Sequence, residues 1–186
     1  MIARLYDILF SILILVVISP MLIFVSLYIL FHDGAPIFYR QNRIGLNGIE
    51  FSIFKFRTMV TNANSIGPYY TSVNDPRITK IGGLLRKTSI DELPQFLNVL
   101  IGDMSIVGPR PNVMAQKVEY TSADWEARNS VKPGITGIAQ VYGRSNCTFE
   151  ERLNSDLEYI KRQGVVFDTI LIFKTVLAVL LKRGVN

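Results

Sequence analysis

Histidine and cysteine are nearly absent from this chain: His32 and Cys147 each stand alone among 186 residues. A single cysteine forms no internal disulfide, which fits a reducing, cytosol-facing body. A single histidine excludes His-rich metal sites and leaves little room for a Ser-His-Asp hydrolase. The Gly-x-x-x-x-Gly-Lys-Ser/Thr phosphate loop and the Gly-x-Gly-x-x-Gly dinucleotide fingerprint are missing too. Phosphoryl chemistry would have to rest on carboxylates, Arg or Lys, and a hard metal ion. The net charge of +5 suits anionic partners such as phosphates, nucleotides and lipid headgroups. No helix-turn-helix, zinc-finger or aromatic RNA-binding signature is present, so nucleic acid is not expected among them.

What the chain has in quantity is apolar residues at one end. Ile8 to Phe31 carries no charge over 24 residues, 18 of them Leu, Ile, Val or Phe. At roughly 0.3–0.6 kcal/mol each they favour bilayer insertion by about 5–11 kcal/mol at most. The run is too long for a signal core, and no small-residue cleavage site follows it. Near its middle lies Ser19-Pro20. Pro20 cannot donate to the Val16 carbonyl and crowds it, costing about 3 kcal/mol; Ser19 can serve freed backbone groups locally. Two limbs of about 12 residues reach about 18 Å each, which suits a hairpin. Arg4 before the segment and Arg40, Arg43, Lys55 and Arg57 after it pull both ends to the cytoplasm. A Pro-kinked spanning helix satisfies the same physics, and residues 1–33 leave both courses open.

Residues 34–186 are expected to form the soluble body. Pro36 to Arg43 and Ile49 to Met59 read as strands around a Gly45-Leu46-Asn47-Gly48 turn. A period of two places Ile53, Lys55 and Arg57 on one face, where the two cations could grip one anion. A solvated edge strand is the plainer account of that pattern. Thr61 to Thr79 reads as a long loop or lid. Helical patterns follow over Ile81–Arg86, Leu93–Ile101, Val113–Arg128 and Glu150–Gln163. Val165 to Arg183, apolar but broken by charge, reads equally as an interfacial helix or a buried one.

Asp91-Glu92 lies beside Arg86 and Lys87. Spacing alone favours helix capping, with Pro94 in the first turn. The same carboxylates offer magnesium ligands and a nucleophile. In Gly108-Pro109-Arg110-Pro111, two prolines fix the backbone around an arginine suited to bidentate phosphate binding. Val131 to Gly137 reads first as a Pro-Gly turn, with Lys132 and Gly143-Arg144 as weaker cationic features.

Together Phe54-Lys55-Phe56-Arg57-Thr58-Met59, Asp75-Pro76-Arg77-Ile78-Thr79, Asp91-Glu92-Leu93-Pro94-Gln95, Gly108-Pro109-Arg110-Pro111 and Lys132-Pro133-Gly134-Ile135-Thr136-Gly137 resemble, in that order, the monotopic phosphoglycosyl transferases of the bacterial sugar transferase family, in their small core-only form. The resemblance implies a re-entrant helix-break-helix at Ser19-Pro20 and a single domain with a mixed α/β body, carrying interfacial helices, on the cytoplasmic face of the bacterial inner membrane. It implies Asp91 as nucleophile and magnesium ligand, Glu92 as its catalytic partner and magnesium as cofactor. Arg110, framed by Pro109 and Pro111, would bind the nucleotide phosphates, with Lys55, Arg57, Arg86 and Arg144 as further phosphate contacts. The implied reaction moves a sugar phosphate from a UDP-sugar to a polyprenol phosphate and releases UMP, as the first membrane step of glycoconjugate assembly. Membrane lipids are implied partners, and homo-oligomerisation stays open. Two rival functions predict different products. A lipid-binding module would release no UMP, and an anchored nucleotide-diphosphate hydrolase would yield free sugar phosphate.

Overall fold

An uncharged apolar run this long has to become a helix, because only a helix satisfies its own backbone in lipid. In the computed structural model, which describes residues 2–68, 71–72, 75–143 and 147–181, α1 spans Ile2–His32. It is long and apolar enough to cross a membrane, judged by length and composition. The helix runs through Pro20 with no non-helical residue, which corrects the expected break in the backbone at Ser19-Pro20. The local chemistry explains the continuity: the Ser19 hydroxyl donates to the Val16 carbonyl at 2.8 Å, the acceptor that Pro20 cannot serve.

Both halves of α1 pack on the same body. Near the start, the Arg4 guanidinium donates to the Val99 carbonyl and, at 2.9 Å, to that of Leu100. Asp7 accepts from the Ser105 hydroxyl at 2.8 Å and the Ile106 amide at 3.2 Å. Phe10, Ile14 and Leu15 then join the main core around Val99, Met104, Ile106, Val107 and Leu171. Beyond Pro20, Val25 and Ile29 pack with Phe56 and Leu85 in a second cluster. The outward face, including Leu13, Val16, Val17, Phe24 and Phe31, is exposed.

Strands β1 (Phe38–Ile44) and β2 (Glu50–Phe56) form an antiparallel hairpin that pairs Tyr39 with Lys55 and Gln41 with Ile53. β2 stops at Phe56, three residues before its expected end, so Lys55 lies within the ladder and Arg57 just beyond it. The Arg57 amide still bonds the Ile37 carbonyl, but the ladder goes no further. Next come the short α2 (Ala63–Ile66), α3 (Lys80–Thr88), a 3-10 turn at Ile90–Glu92 and α4 (Gln95–Ile101). The Thr79 hydroxyl caps α3 by accepting from the Gly82 amide. Asn98 of α4, fully buried, docks its amide on β2 by accepting from Phe54 N and donating to the Ser52 carbonyl.

The second half departs further from its sequence pattern. Val113–Arg128 is not one helix. A 3-10 segment (Met114–Glu119) is followed by α5 (Ser122–Arg128), because Thr121 starts a new N-cap by accepting from the Asp124 amide. The expected Pro-Gly turn is instead β4 (Gly134–Thr136), parallel to β3 (Ser105–Val107). α6 (Phe149–Arg162) opens on a Thr148–Glu151 capping box, and α7 (Val165–Leu180) follows. α7 buries Leu171 in the core while Val166, Ile170, Phe173 and Leu177 stay exposed, so it is docked and apolar on the outside at once.

Two adjacent glycines in α3 predict opposite effects. A Cβ on Gly82 would sit 2.1 Å from the Thr58 carbonyl oxygen, whereas one on Gly83 meets nothing nearer than 3.9 Å. Gly83→Ala should stabilise the protein by about 0.5–1 kcal/mol through helix propensity. Gly82→Ala should destabilise it by at least about 1–3 kcal/mol, since the obstacle is backbone. Melting of the two variants in the same detergent gives the signs.

Candidate active site

The register of the hairpin puts Tyr39, Gln41, Arg43 and Lys55 on one face, and this face walls a cavity of about 520 Å³. Asp91, Glu92 and Arg110 also line it, as do Arg57, Thr58, Arg77 and Arg86. Of the residues singled out from sequence, Lys55, Arg57, Arg86, Asp91, Glu92 and Arg110 therefore meet around one space. Pro109 and Pro111 stand outside its lining and act on the backbone of Arg110. Lys132 also lies elsewhere, near Arg4, Asp7 and Asp103. Arg144 falls outside the described residues.

Neither carboxylate of the dyad caps a helix. Ser89, in the left-handed region at φ 56°, ends α3 and starts the 3-10 turn that carries Asp91-Glu92. No side-chain cap holds the start of α4. Glu92 accepts from Lys55 Nζ at 2.7 Å and from Arg110 Nη2 at 2.6 Å, both through Oε1, with Arg110 Nη1 3.4 Å from Oε2. Burial alone would raise the Glu92 pKa, but Arg110 and Lys55 outweigh it and hold the group well below the usual carboxylate range. Its neighbour differs: Asp91 is buried, and its carboxylate has no hydrogen-bond or ion-pair partner among the described residues. Desolvation and the adjacent Glu92 charge raise Asp91 to about 6, against the pull of Lys55, Arg86 and Arg110. The dyad is thus one spent carboxylate and one free one, ionised at neutral pH.

The triplet around Arg110 is held from three sides. Gly134 N donates to the Pro109 carbonyl at 2.9 Å, Arg128 Nη2 to the Arg110 carbonyl, and Arg43 Nη1 to the Pro111 carbonyl at 3.0 Å. A Cβ on Gly134 would fall 2.0 Å from Gly108 N, so only glycine permits this approach. Arg128 is in turn ion-paired to Asp156 at 2.7 Å, with both side chains almost fully buried. Arg43 is lowered to about 10 by burial and by the Arg110 charge, and so stays protonated at neutral pH. Arg43, Arg128 and Asp156 escaped the sequence reading. Arg43 carried a signal, since it continues the Tyr39-Gln41 alternation. Arg128 and Asp156, 28 residues apart, carried none.

The donor set fits one arrangement of magnesium. No group of three or more His, Cys, Asp or Glu side chains converges among the described residues, and Glu92 is already held by Lys55 and Arg110. That leaves Asp91 as the one carboxylate to offer. Magnesium characteristically takes one or two carboxylates together with substrate phosphates and water, so it fits as an ion arriving with a diphosphate.

A helix long and apolar enough to cross a membrane thus lies on the same body as a cation-walled cavity in which Asp91 has no partner among the described residues. The family model described as bacterial sugar transferase matches residues 1–182, and the chain belongs to that family. It is 43% identical over 180 residues to the UDP-glucose:undecaprenyl-phosphate glucose-1-phosphate transferase of Escherichia coli, covering 93% of this chain and 39% of that protein. Against the Undecaprenyl-phosphate galactose phosphotransferase of Salmonella typhimurium the identity is 39%, over 97% of this chain and 41% of that one. Against the exopolysaccharide production protein ExoY of Sinorhizobium fredii it is also 39%, over 97% and 86%. The chain thus spans about two fifths of the first two relatives and most of the third.

The Arg128–Asp156 pair yields a stability test. Arg128→Met leaves a buried carboxylate uncompensated and should cost about 3–5 kcal/mol, whereas Arg128→Met with Asp156→Leu should recover most of it. Denaturant melts of both variants measure the difference.

Proposed function

We propose that the chain is a phosphoglycosyl transferase that moves a sugar phosphate from a UDP-sugar to a polyprenol phosphate through a covalent aspartyl phosphosugar. The observation that carries this reading is the asymmetry of the dyad. Glu92 is held by two cations, while Asp91 faces the same cavity unpaired. Family membership and the substrates in the relatives' names supply the substrate classes.

In the first step an Asp91 oxygen bonds to the β-phosphorus of the donor. The bond to the bridging oxygen breaks, and UMP leaves with the electron pair. In the second step a phosphate oxygen of the acceptor attacks the same phosphorus and expels the Asp91 carboxylate, giving a polyprenol diphosphate sugar. Arg110, half exposed and already oriented by Glu92, meets the donor diphosphate with a planar fork. Glu92 keeps Lys55 and Arg110 close to the reacting phosphorus without becoming a nucleophile itself. Magnesium, held by Asp91 and the diphosphate, would neutralise charge on the donor.

The body lies on the cytoplasmic face of the bacterial inner membrane, and α1 enters and leaves by that face. Support comes from the anchoring of both halves of α1 on one body, through Arg4 and Asp7 at the start and through Val25 and Ile29 beyond Pro20. A helix spanning the bilayer would have to give up one set of these contacts. Cysteines placed at positions 2 and 34 should therefore both react with a membrane-impermeant reagent from the cytoplasmic side of inverted vesicles. Position 2 reacting from the periplasmic side alone would defeat this re-entrant course of α1.

The chemical step has its own test. With UDP-sugar and no acceptor, the protein should release about one UMP per enzyme and carry a phosphosugar on the peptide containing Asp91. Asp91→Asn should abolish both. Because Asp91 acts ionised and is raised to about 6, the burst rate should fall with acid, about tenfold per pH unit well below 6. Glu92→Gln removes a like charge and should shift the midpoint down, whatever it does to the rate.

A further inference from the structure

Among the described residues, Arg57 is the buried cation with the most unpartnered nitrogens. It is 4% exposed, and its Nη2 donates to the Asp33 carbonyl at 2.6 Å and the Gly34 carbonyl at 2.7 Å. Its Nε and Nη1 are buried and have no hydrogen-bond partner among the described residues. Burying two guanidinium nitrogens unpaired is costly unless a ligand completes them. No carboxylate among the described residues lies within ion-pair distance of Arg57, not even that of Asp33. Lys55 and Arg110 share Glu92, and Arg77 is bound to Asp75.

Position sharpens the point. Arg57 lines the same cavity as Asp91 and holds the backbone where α1 ends. The neighbouring lining residues Phe38 and Val60 are apolar and exposed. Arg86 lines the same cavity, donating through Nε to the Thr58 hydroxyl at 2.8 Å. In this one lining Lys55 and Arg110 share Glu92, whereas Arg57 and Arg86 have no carboxylate within ion-pair distance among the described residues, and Arg57 adjoins the end of α1.

We propose that Arg57, with Arg86 and Thr58 beside it, receives the phosphate monoester of the lipid acceptor, apart from the Lys55–Glu92–Arg110 set that meets the donor diphosphate. This rests on the transferase reading above and adds a division of the cavity. A lipid-borne phosphate arrives from the side where α1 leaves the apolar layer, and Arg57 is the cation fixed to that backbone. Its two free N–H groups would orient the acceptor oxygen towards the phosphorus on Asp91. That oxygen forms the new P–O bond as the Asp91 carboxylate leaves with the old bond's electrons, so no proton need be lost from a dianionic acceptor.

The test separates donor from acceptor. In detergent micelles holding the full chain, polyprenol phosphate and a UDP-sugar, Arg57→Gln should raise the acceptor KM at least about tenfold, as expected for lost charge-assisted bonds. The UDP-sugar KM should stay within about twofold. Arg57→Lys, which keeps the charge and one carbonyl contact, should fall between, and it serves if the Gln variant does not fold. Inorganic phosphate should compete weakly with the acceptor and not with the donor. An unchanged acceptor KM, or an equal rise for both substrates, overturns the assignment. Inorganic phosphate binding as tightly as polyprenol phosphate would overturn its lipid source. A wild-type protein without a UMP burst would defeat the covalent mechanism instead, while the ratio of the two KM effects would still decide the role of Arg57.

Discussion

The grip of Lys55 and Arg110 on Glu92 is the contact around which the cavity is organised. Lys55 comes from β2, Glu92 from the turn between α3 and α4, and Arg110 from the loop after β3. Three segments distant in sequence are joined at one carboxylate. Pairing at a buried site is worth little in net stability, because desolvation offsets much of the attraction. Its value here is geometric and electrostatic. It fixes two cations at the cavity wall, and by engaging Glu92 it leaves Asp91 as the member of the dyad with no partner among the described residues.

That arrangement holds only if its supports are rigid, and the supports are mostly backbone. Asn98 zips α4 to β2, so the turn carrying Glu92 cannot drift from Lys55. Gly82 lets α3 lie directly on the Thr58 backbone. The carbonyls of Pro109, Arg110 and Pro111 are each held by a different element, β4, α5 and β1. The membrane helix belongs to the same framework, since Arg4 and Asp7 tie its start to α4 and β3 while Arg57 holds the carbonyls at its end. On the proposed function, a soluble donor and a lipid acceptor would meet one carboxylate within this single framework.

What the sequence made legible was whatever local chemistry decides. The Ser19 bond to Val16 was visible because Pro20 orphans a carbonyl at a fixed offset. The hairpin was visible from its alternation and its glycine turn. Capping at Asp91 was the wrong outcome of a local argument, because the dyad's environment is set by Lys55, 37 residues from Glu92, and Arg110, 18 residues from it. The same limit explains Val113–Arg128, where a periodic pattern hid a new N-cap at Thr121, and residues 131–137, where a parallel partner turned Gly134–Thr136 into a strand. Arg57 was legible as a cation near Lys55, but not as one that holds the Asp33 and Gly34 carbonyls, because where β2 ends is a tertiary matter.

The electrostatics of Asp91 follow from a balance that neither burial nor charge would strike alone. Desolvation without the opposing cations would push the group further towards its neutral form, which is the poorer nucleophile. The same cations brought into direct contact would ionise it but occupy its lone pairs, as they do at Glu92. Here the cations act on Asp91 across the cavity, and Glu92 intercepts two of them. The result is a carboxylate raised to about 6, charged at neutral pH and still unbonded. The proposed attack on a diphosphate would need a nucleophile in that condition, with positive charge nearby to receive the approaching phosphates. A second carboxylate immediately after the first is therefore no duplication. It draws Lys55 and Arg110 close and keeps them from bonding to Asp91.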